Sequence, residues 1–126
     1  MRVLVCGSRS WTSVEQTKTL YKVLDRLSPT HIMSGGAKGA DYLAEVYAKS
    51  NAIPITILTP NYKRDGKSAP LKRNDWLLDR NPDLVVAFWD GVSTGTKYTI
   101  DGAHKRFLNV KVVLDGGLEG QSDPSD

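Results

Sequence analysis

The alternation of short apolar runs with amphipathic segments predicts an α/β domain, a five-stranded, mostly parallel sheet with helices on both faces. Two further observations support this class. The joins between segments are mostly short, and glycine-rich turns follow two of the apolar runs, at Ser34-Gly35-Gly36-Ala37-Lys38-Gly39-Ala40-Asp41 and Gly91-Val92-Ser93-Thr94-Gly95-Thr96. In a sheet of this kind the loops leaving the carboxyl ends of the strands gather at one edge, and ligands bind there.

The elements follow in order. Arg2 to Cys6 reads as a strand buried on both faces, and Gly7-Ser8-Arg9-Ser10-Trp11 as the loop that leaves it. Thr12 and Glu15 have capping-box spacing, and Leu20, Val23, Leu24 and Leu27 then line one side of a helix closed off by Pro29. His31 to Met33 is a second strand entering the first glycine turn, with Ala40, Leu43, Ala44, Tyr47 and Ala48 at helical spacing behind it. Pro54 to Leu58 gives a third strand. The polar stretch Thr59 to Ser68 reads as a long loop or lid, and Lys63, Arg64 and Lys67 as its solvated basic residues. Leu71, Asn74 and Leu78 fit a short helix. Leu84 to Trp89, the most apolar run, belongs at the sheet centre beside the first strand. A last helix from Thr96 presents Ile100, Ala103 and Phe107, and Val110 to Leu114 is the fifth strand. This defines one domain over residues 1–114. Residues 115–126 lack periodicity and read as a flexible acidic tail.

Composition sets further bounds. The chain has 126 residues, 40% hydrophobic and 25% charged, which suits one self-sufficient domain. No apolar run has the roughly 18 residues a bilayer requires and the first residues do not resemble a signal sequence, so a cytoplasmic protein without membrane contact is expected. The formal charge is +3, and without the tail's four acidic residues the body has 17 basic against 10 acidic side chains, or +7. That excess favours an anionic partner. The lone Cys6 cannot pair internally and reads as a small core residue. His31 and His104 have no Cys or carboxylate in metal-ligand register, so neither metal nor cofactor is expected.

The first glycine turn suits an anion, because its missing Cβ atoms let a ligand reach the backbone and the following helix directs its amino-terminal N–H groups there. A second such junction suggests opposite ends of one ligand, such as a phosphate and a ribose. Several residues have two readings. Arg9 could fork onto a phosphate or pair with a surface carboxylate. Asp41 could accept from ribose hydroxyls or complement its helix dipole. Thr94 and Thr96 could bind phosphate or cap a helix. Trp11 and Trp76 could stack on a base or serve the core or a subunit contact, and Trp89 is core or site wall.

Together, Gly7-Ser8-Arg9, the turn from Ser34 to Asp41, Arg73-Asn74 and Gly95-Thr96 resemble the SLOG superfamily. Within it the chain is similar to the YspA-like (cpYpsA-related) group, small Rossmann-like domains related to DprA and to LOG-type phosphoribohydrolases. The resemblance implies a nucleotide-derived ligand across the carboxyl edge of the sheet. It assigns one end of that ligand to Gly7, Ser8 and Arg9, the floor to Gly35, Gly36, Gly39 and Asp41, and a phosphate to Thr94, Gly95 and Thr96. Trp11, Ser34, Arg73 and Asn74 complete the candidate set. LOG-type enzymes carry a glutamate three residues beyond the threonine of their glycine-rich motif, and Thr99 occupies that position here. A hydroxyl cannot stabilise an oxocarbenium-like ribose as a carboxylate does.

The leading expectation is therefore a binder of a nucleotide, cyclic nucleotide or ADP-ribose-type signal, acting as a sensor or sequestering protein in bacterial or phage conflict. The alternatives are an N-glycosidase with Arg73 and either Asp41 or Asp101 as substitute acid, and DprA-like binding of single-stranded DNA, for which a basic patch with few exposed aromatics is a weak footprint. The resemblance also implies a homodimer or larger homo-oligomer.

Overall fold

A computed structural model describes residues 1–115 and 119–122. Six strands are joined in the order β3-β2-β1-β4-β5-β6: β1 Arg2–Gly7, β2 His31–Ser34, β3 Ile55–Ile57, β4 Leu84–Trp89, β5 Val110–Leu114 and β6 Glu119–Ser122. The first five are parallel, as expected, with β1 and β4 paired at the centre from Val3↔Leu84 to Gly7↔Phe88. Five helices accompany them: α1 Val14–Leu27, α2 Ala40–Ser50, α3 Tyr62–Asp65, α4 Ala69–Asp79 and α5 Thr94–Lys105.

The pleat divides the core in two. Val3, Val5, Val86 and Phe88 pack with α1 and α2 through Leu20, Leu24, Ala44 and Tyr47. Their neighbours Leu4, Val85 and Ala87 face α4 and α5 through Leu77, Leu78, Ile100 and Ala103. Alternation along central strands that are apolar throughout is what a sheet covered on both faces requires. The connection after β1 leads to β2 on one side, while β4 lies on the other. Their carboxyl ends therefore diverge around a crevice, the switch point of a doubly wound sheet.

Four local expectations are corrected. The α1 capping box is Ser13 with Gln16, not Thr12 with Glu15: Ser13 Oγ accepts from Gln16 N at 3.0 Å and Gln16 Oε1 accepts from Ser13 N at 3.0 Å. The helix starts one residue later because Gln16 Oε1 also takes the Thr12 amide, at 2.9 Å. The stretch expected as a loop holds α3 and a 3₁₀ turn, Gly66–Ser68. Its start is fixed by Asn61, whose side chain accepts from Arg64 N at 3.1 Å. Phe107 is not on the buried face of α5; it follows the helix with φ 57° and is 78% exposed. Glu119–Ser122, expected within a flexible tail, pairs antiparallel with β5 from Val110↔Ser122 to Val113↔Glu119. Backbone pairing with an otherwise open strand edge needs no side-chain periodicity, so the sequence carries no signal for it. The rest of that tail call, residues 116–118 and 123–126, lies outside the described residues.

Candidate functional site

The loops at the carboxyl ends of β1, β2 and β4 and the start of α4 surround one cavity of about 920 Å³. Of the residues singled out from sequence, Gly7, Ser8, Arg9, Gly35, Gly36, Asp41, Arg73, Asn74, Thr94, Gly95 and Thr96 line it, as does Thr99. The two glycine turns thus open onto the same space.

The β1 loop is drawn into place by Ser8, which is buried. Its amide donates to Phe88 O at 2.9 Å, its hydroxyl accepts from Asp90 N at 3.0 Å, and its carbonyl accepts from Trp11 N at 3.1 Å and Ala40 N at 3.3 Å. One residue so joins β1, β4 and α2. Gly39 lies directly against this loop with φ 77°, and a Cβ there would collide with the Ser8 and Arg9 carbonyls. It serves the packing of the two loops and does not line the cavity, contrary to its assignment as floor.

The first glycine turn is less open to an anion than its composition suggests. Gly36 N donates to Ser34 Oγ at 3.3 Å, and Ala37 N donates to Asp41 Oδ2 at 3.2 Å. The Asp41 carboxyl thus occupies the place where an external anion would meet that amide. Burial pushes its pKa up to about 6, against the opposing pull of the Ala37 amide and the Arg73 guanidinium. Ser34 is buried, supports the turn from behind and does not line the cavity.

Arg73 comes from α4, across the cavity, and is 6% exposed. Its Nη1 donates to the Gly35 carbonyl and its Nε to Asn74 Oδ1 at 2.7 Å. A Cβ on Gly35 would stand 2.6 Å from the guanidinium carbon, so glycine is required there for the arginine to lie over the turn. Burial lowers the Arg73 pKa while the nearby Asp41 raises it. The two hydrogen bonds employ only part of a five-donor group, and the cavity is where its other donors can find acceptors.

The second turn is organised by Asp90, which reading from sequence missed. Its Oδ1 accepts from Val92 N at 2.9 Å and Ser93 N at 2.7 Å, and its Oδ2 accepts from Ser93 Oγ at 2.7 Å and Ser10 Oγ at 3.3 Å. These bonds, led by that of Ser93 Oγ, hold its pKa well below the usual carboxylate range. The available signal was Asp90-Gly91 followed by Ser93, the residue pattern of a turn whose aspartate bonds the backbone two residues on. With its hydroxyl committed to Asp90, Ser93 makes no side-chain cap for α5. The first α5 amides have no intrahelical acceptor. They belong to Thr94, Gly95 and Thr96, all lining the cavity, and a Cβ on Gly95 would meet nothing within 4 Å. This is the anion-competent end. Further back, Thr99 Oγ1 donates to Gly95 O at 3.2 Å, so its hydroxyl proton is already committed.

Other candidates lie elsewhere. Trp11 is 1% exposed, its ring centroid 5.6 Å from that of Phe88, and its Nε1 donates to Gln16 O at 2.9 Å. It belongs to the core because the tight Ser8 turn folds it inward. Trp76 does not line the cavity; the Arg64 guanidinium lies over its ring at 4.3 Å. Asp101 pairs with Lys97 at 2.8 Å on the solvent side of α5, away from the Thr96, Thr99 and Ile100 face, and so is not placed to act as an acid in the cavity. Trp89 packs on the α4–α5 core, and its Nε1 donates to Ser93 O at 3.0 Å. Cys6 contributes to the cavity wall, where burial pushes its thiol well above the ordinary range. Lys38 of the first glycine turn also lines the cavity, as do Pro60, Tyr62, Pro70 and Leu71, which had no site signal in the sequence because only the fold carries α3 and α4 to the sheet edge. Among the described residues no group of three or more His, Cys, Asp or Glu could hold a metal, and no helix is long and apolar enough to cross a membrane.

A doubly wound α/β domain with its cavity at the switch point, walled by two glycine turns and a buried arginine, defines the Rossmann-like class. A model of the YspA, cpYpsA-related SLOG family matches residues 1–64, and the chain belongs to that family. The Gene 61 protein of Mycobacterium phage D29 is 33% identical over 118 residues, which cover 86% of this chain and 93% of that protein. No solved structure matches this chain significantly. Family membership supports a nucleotide-related function in general.

Proposed function

We propose that the protein binds a nucleotide-derived small molecule, a nucleotide, cyclic nucleotide or ADP-ribose-type signal, in the cavity at the carboxyl edge of the sheet, and acts by sensing or sequestering it. The observation that carries this reading is the polarity of the cavity. One end offers the unpaired amides of Thr94, Gly95 and Thr96 to a phosphate, and the other offers the Asp41 carboxyl to hydroxyls, with Arg73 in the same wall. A volume of about 920 Å³ accommodates a ligand of that size. Thr99, its proton given to Gly95 O, favours binding over cleavage. The likeness to a phage protein supports a setting in conflict between phage and bacterium. Calorimetric titration with nucleotides, cyclic dinucleotides and ADP-ribose is expected to give saturable binding by at least one; heat-silent titrations across the whole panel would remove the proposal.

One observation favours a second reading. Asp41 holds its proton up to about pH 6, nearer neutrality than an ordinary carboxyl, and shares the cavity with Arg73. Such a carboxyl could protonate a departing base. Chromatography of the titration mixtures separates the readings: a binder returns the ligand intact, and an N-glycosidase releases free base.

A further inference from the structure

Tyr62 raises a separate question. It is 55% exposed, a large aromatic surface in water, yet it lines the cavity with Pro60, Pro70 and Leu71 beside it in the same wall. The remaining walls are mostly glycine, hydroxyl and charge, with Cys6, Ala37 and Asn74 among them. Tyr62 is also anchored. Its carbonyl accepts from Gly66 N, and Asp65 at the end of α3 pairs with Arg64 at 3.0 Å and with Lys72 of α4 at 3.6 Å. Ser68 Oγ donates to Asp65 O at 2.8 Å, fastening the following turn. Tyr62 and Arg73 line the same cavity.

We infer that Tyr62, with Pro60 and Leu71, forms a stacking platform for a flat heteroaromatic ring, so the ligand is a nucleoside phosphate whose base lies under α3 and whose phosphate lies at the start of α5. The inference rests on the nucleotide reading of the same cavity and adds which part of the ligand each wall receives. An aromatic face accepts any base and is sequence-tolerant, so affinity is expected to depend on the presence of a ring more than on its identity. Binding is to be measured by calorimetry on the full chain with the four ribonucleoside 5′-monophosphates and with ribose 5-phosphate, for wild type, Tyr62→Ala and Tyr62→Phe. At least one monophosphate should bind at least about tenfold more tightly than ribose 5-phosphate, since stacking on one aromatic is worth roughly a factor of ten or more. Tyr62→Ala should remove that advantage and leave ribose 5-phosphate unchanged, while Tyr62→Phe should keep it. Binding of ribose 5-phosphate as tight as that of every monophosphate, or equal weakening of both by Tyr62→Ala, would overturn the platform and leave the anion site standing. A Tyr62→Ala protein that changes its oligomeric state on gel filtration with all affinities intact would show instead that this aromatic serves a contact between copies. Failure of ribose 5-phosphate and all four monophosphates to bind wild type would overturn this placement of base and phosphate, and the reading of the cavity itself falls when cyclic dinucleotides and ADP-ribose fail as well.

Discussion

Single residues divide the labour at the cavity between those that leave polar groups facing it and those that hold the walls. Gly35 and Gly95 illustrate the difference. A methyl on Gly35 would displace the Arg73 guanidinium, so Gly35→Ala is expected to cost about 1–3 kcal/mol in urea unfolding, as overpacking does, and to weaken ligand binding about tenfold or more. A methyl on Gly95 meets no protein atom. Gly95→Ala is therefore expected to leave stability unchanged or raise it by up to about 1 kcal/mol from helix propensity, while ligand affinity falls because the methyl stands over the free amides. Trp11 sits on the structural side of the divide. Trp11→Ala should lose about 3–5 kcal/mol in the same measurement with the affinity of the folded fraction retained. Equal affinity loss and stability loss would return Trp11 to the site.

Among the elements, the helix starts matter most. For α1 the hydroxyl of Ser13 is the cap, so Ser13→Ala should cost about 1 kcal/mol by urea unfolding while Thr12→Ala stays within about 0.5 kcal/mol. Thr12 and Ser13 are both adequate caps by type, and the choice between them was made by Gln16, which collects both amides. Sequence patterning located four of the five helices and the five parallel strands, because the apolar residues of each repeat with its own period. It did not find α3, whose four residues bury no apolar side chain and therefore leave no apolar pattern. Asp90 escaped for a related reason. Its importance comes from four bonds across two loops, whereas its neighbours in sequence mark only an ordinary turn.

At the scale of the whole molecule, two aspartates give stability opposite responses to pH. Asp41 has its pKa raised in the folded state, so between about pH 4 and pH 6 the native protein holds more protons than the unfolded chain, and stability falls as pH rises through that window. A shift of this size corresponds to at most about 3 kcal/mol. Asp90 acts the other way: its depressed pKa contributes stability above the ordinary carboxylate range that is lost as pH falls through it. Urea unfolding at half-unit steps from pH 3 to pH 7 is expected to show a decline on the alkaline side that Asp41→Asn flattens and an acid decline that it leaves in place. A decline on the alkaline side that survives Asp41→Asn would mean that another group titrates there.

The sequence by itself determined the layer architecture and the edge of the sheet at which a site must form. Those follow from periodicity and from turn residues, which act over a few positions of chain. Only the tertiary structure decided the chemistry of that edge. It turned Trp11 inward, gave two amides of the first glycine turn to Ser34 and Asp41, left those of Thr94, Gly95 and Thr96 in the second without an intrahelical acceptor, and brought Tyr62 and Arg73 across from α3 and α4, well downstream of β2. Which donors remain available to a ligand depends on what the rest of the fold has already bonded, and that is a property of contacts between distant residues.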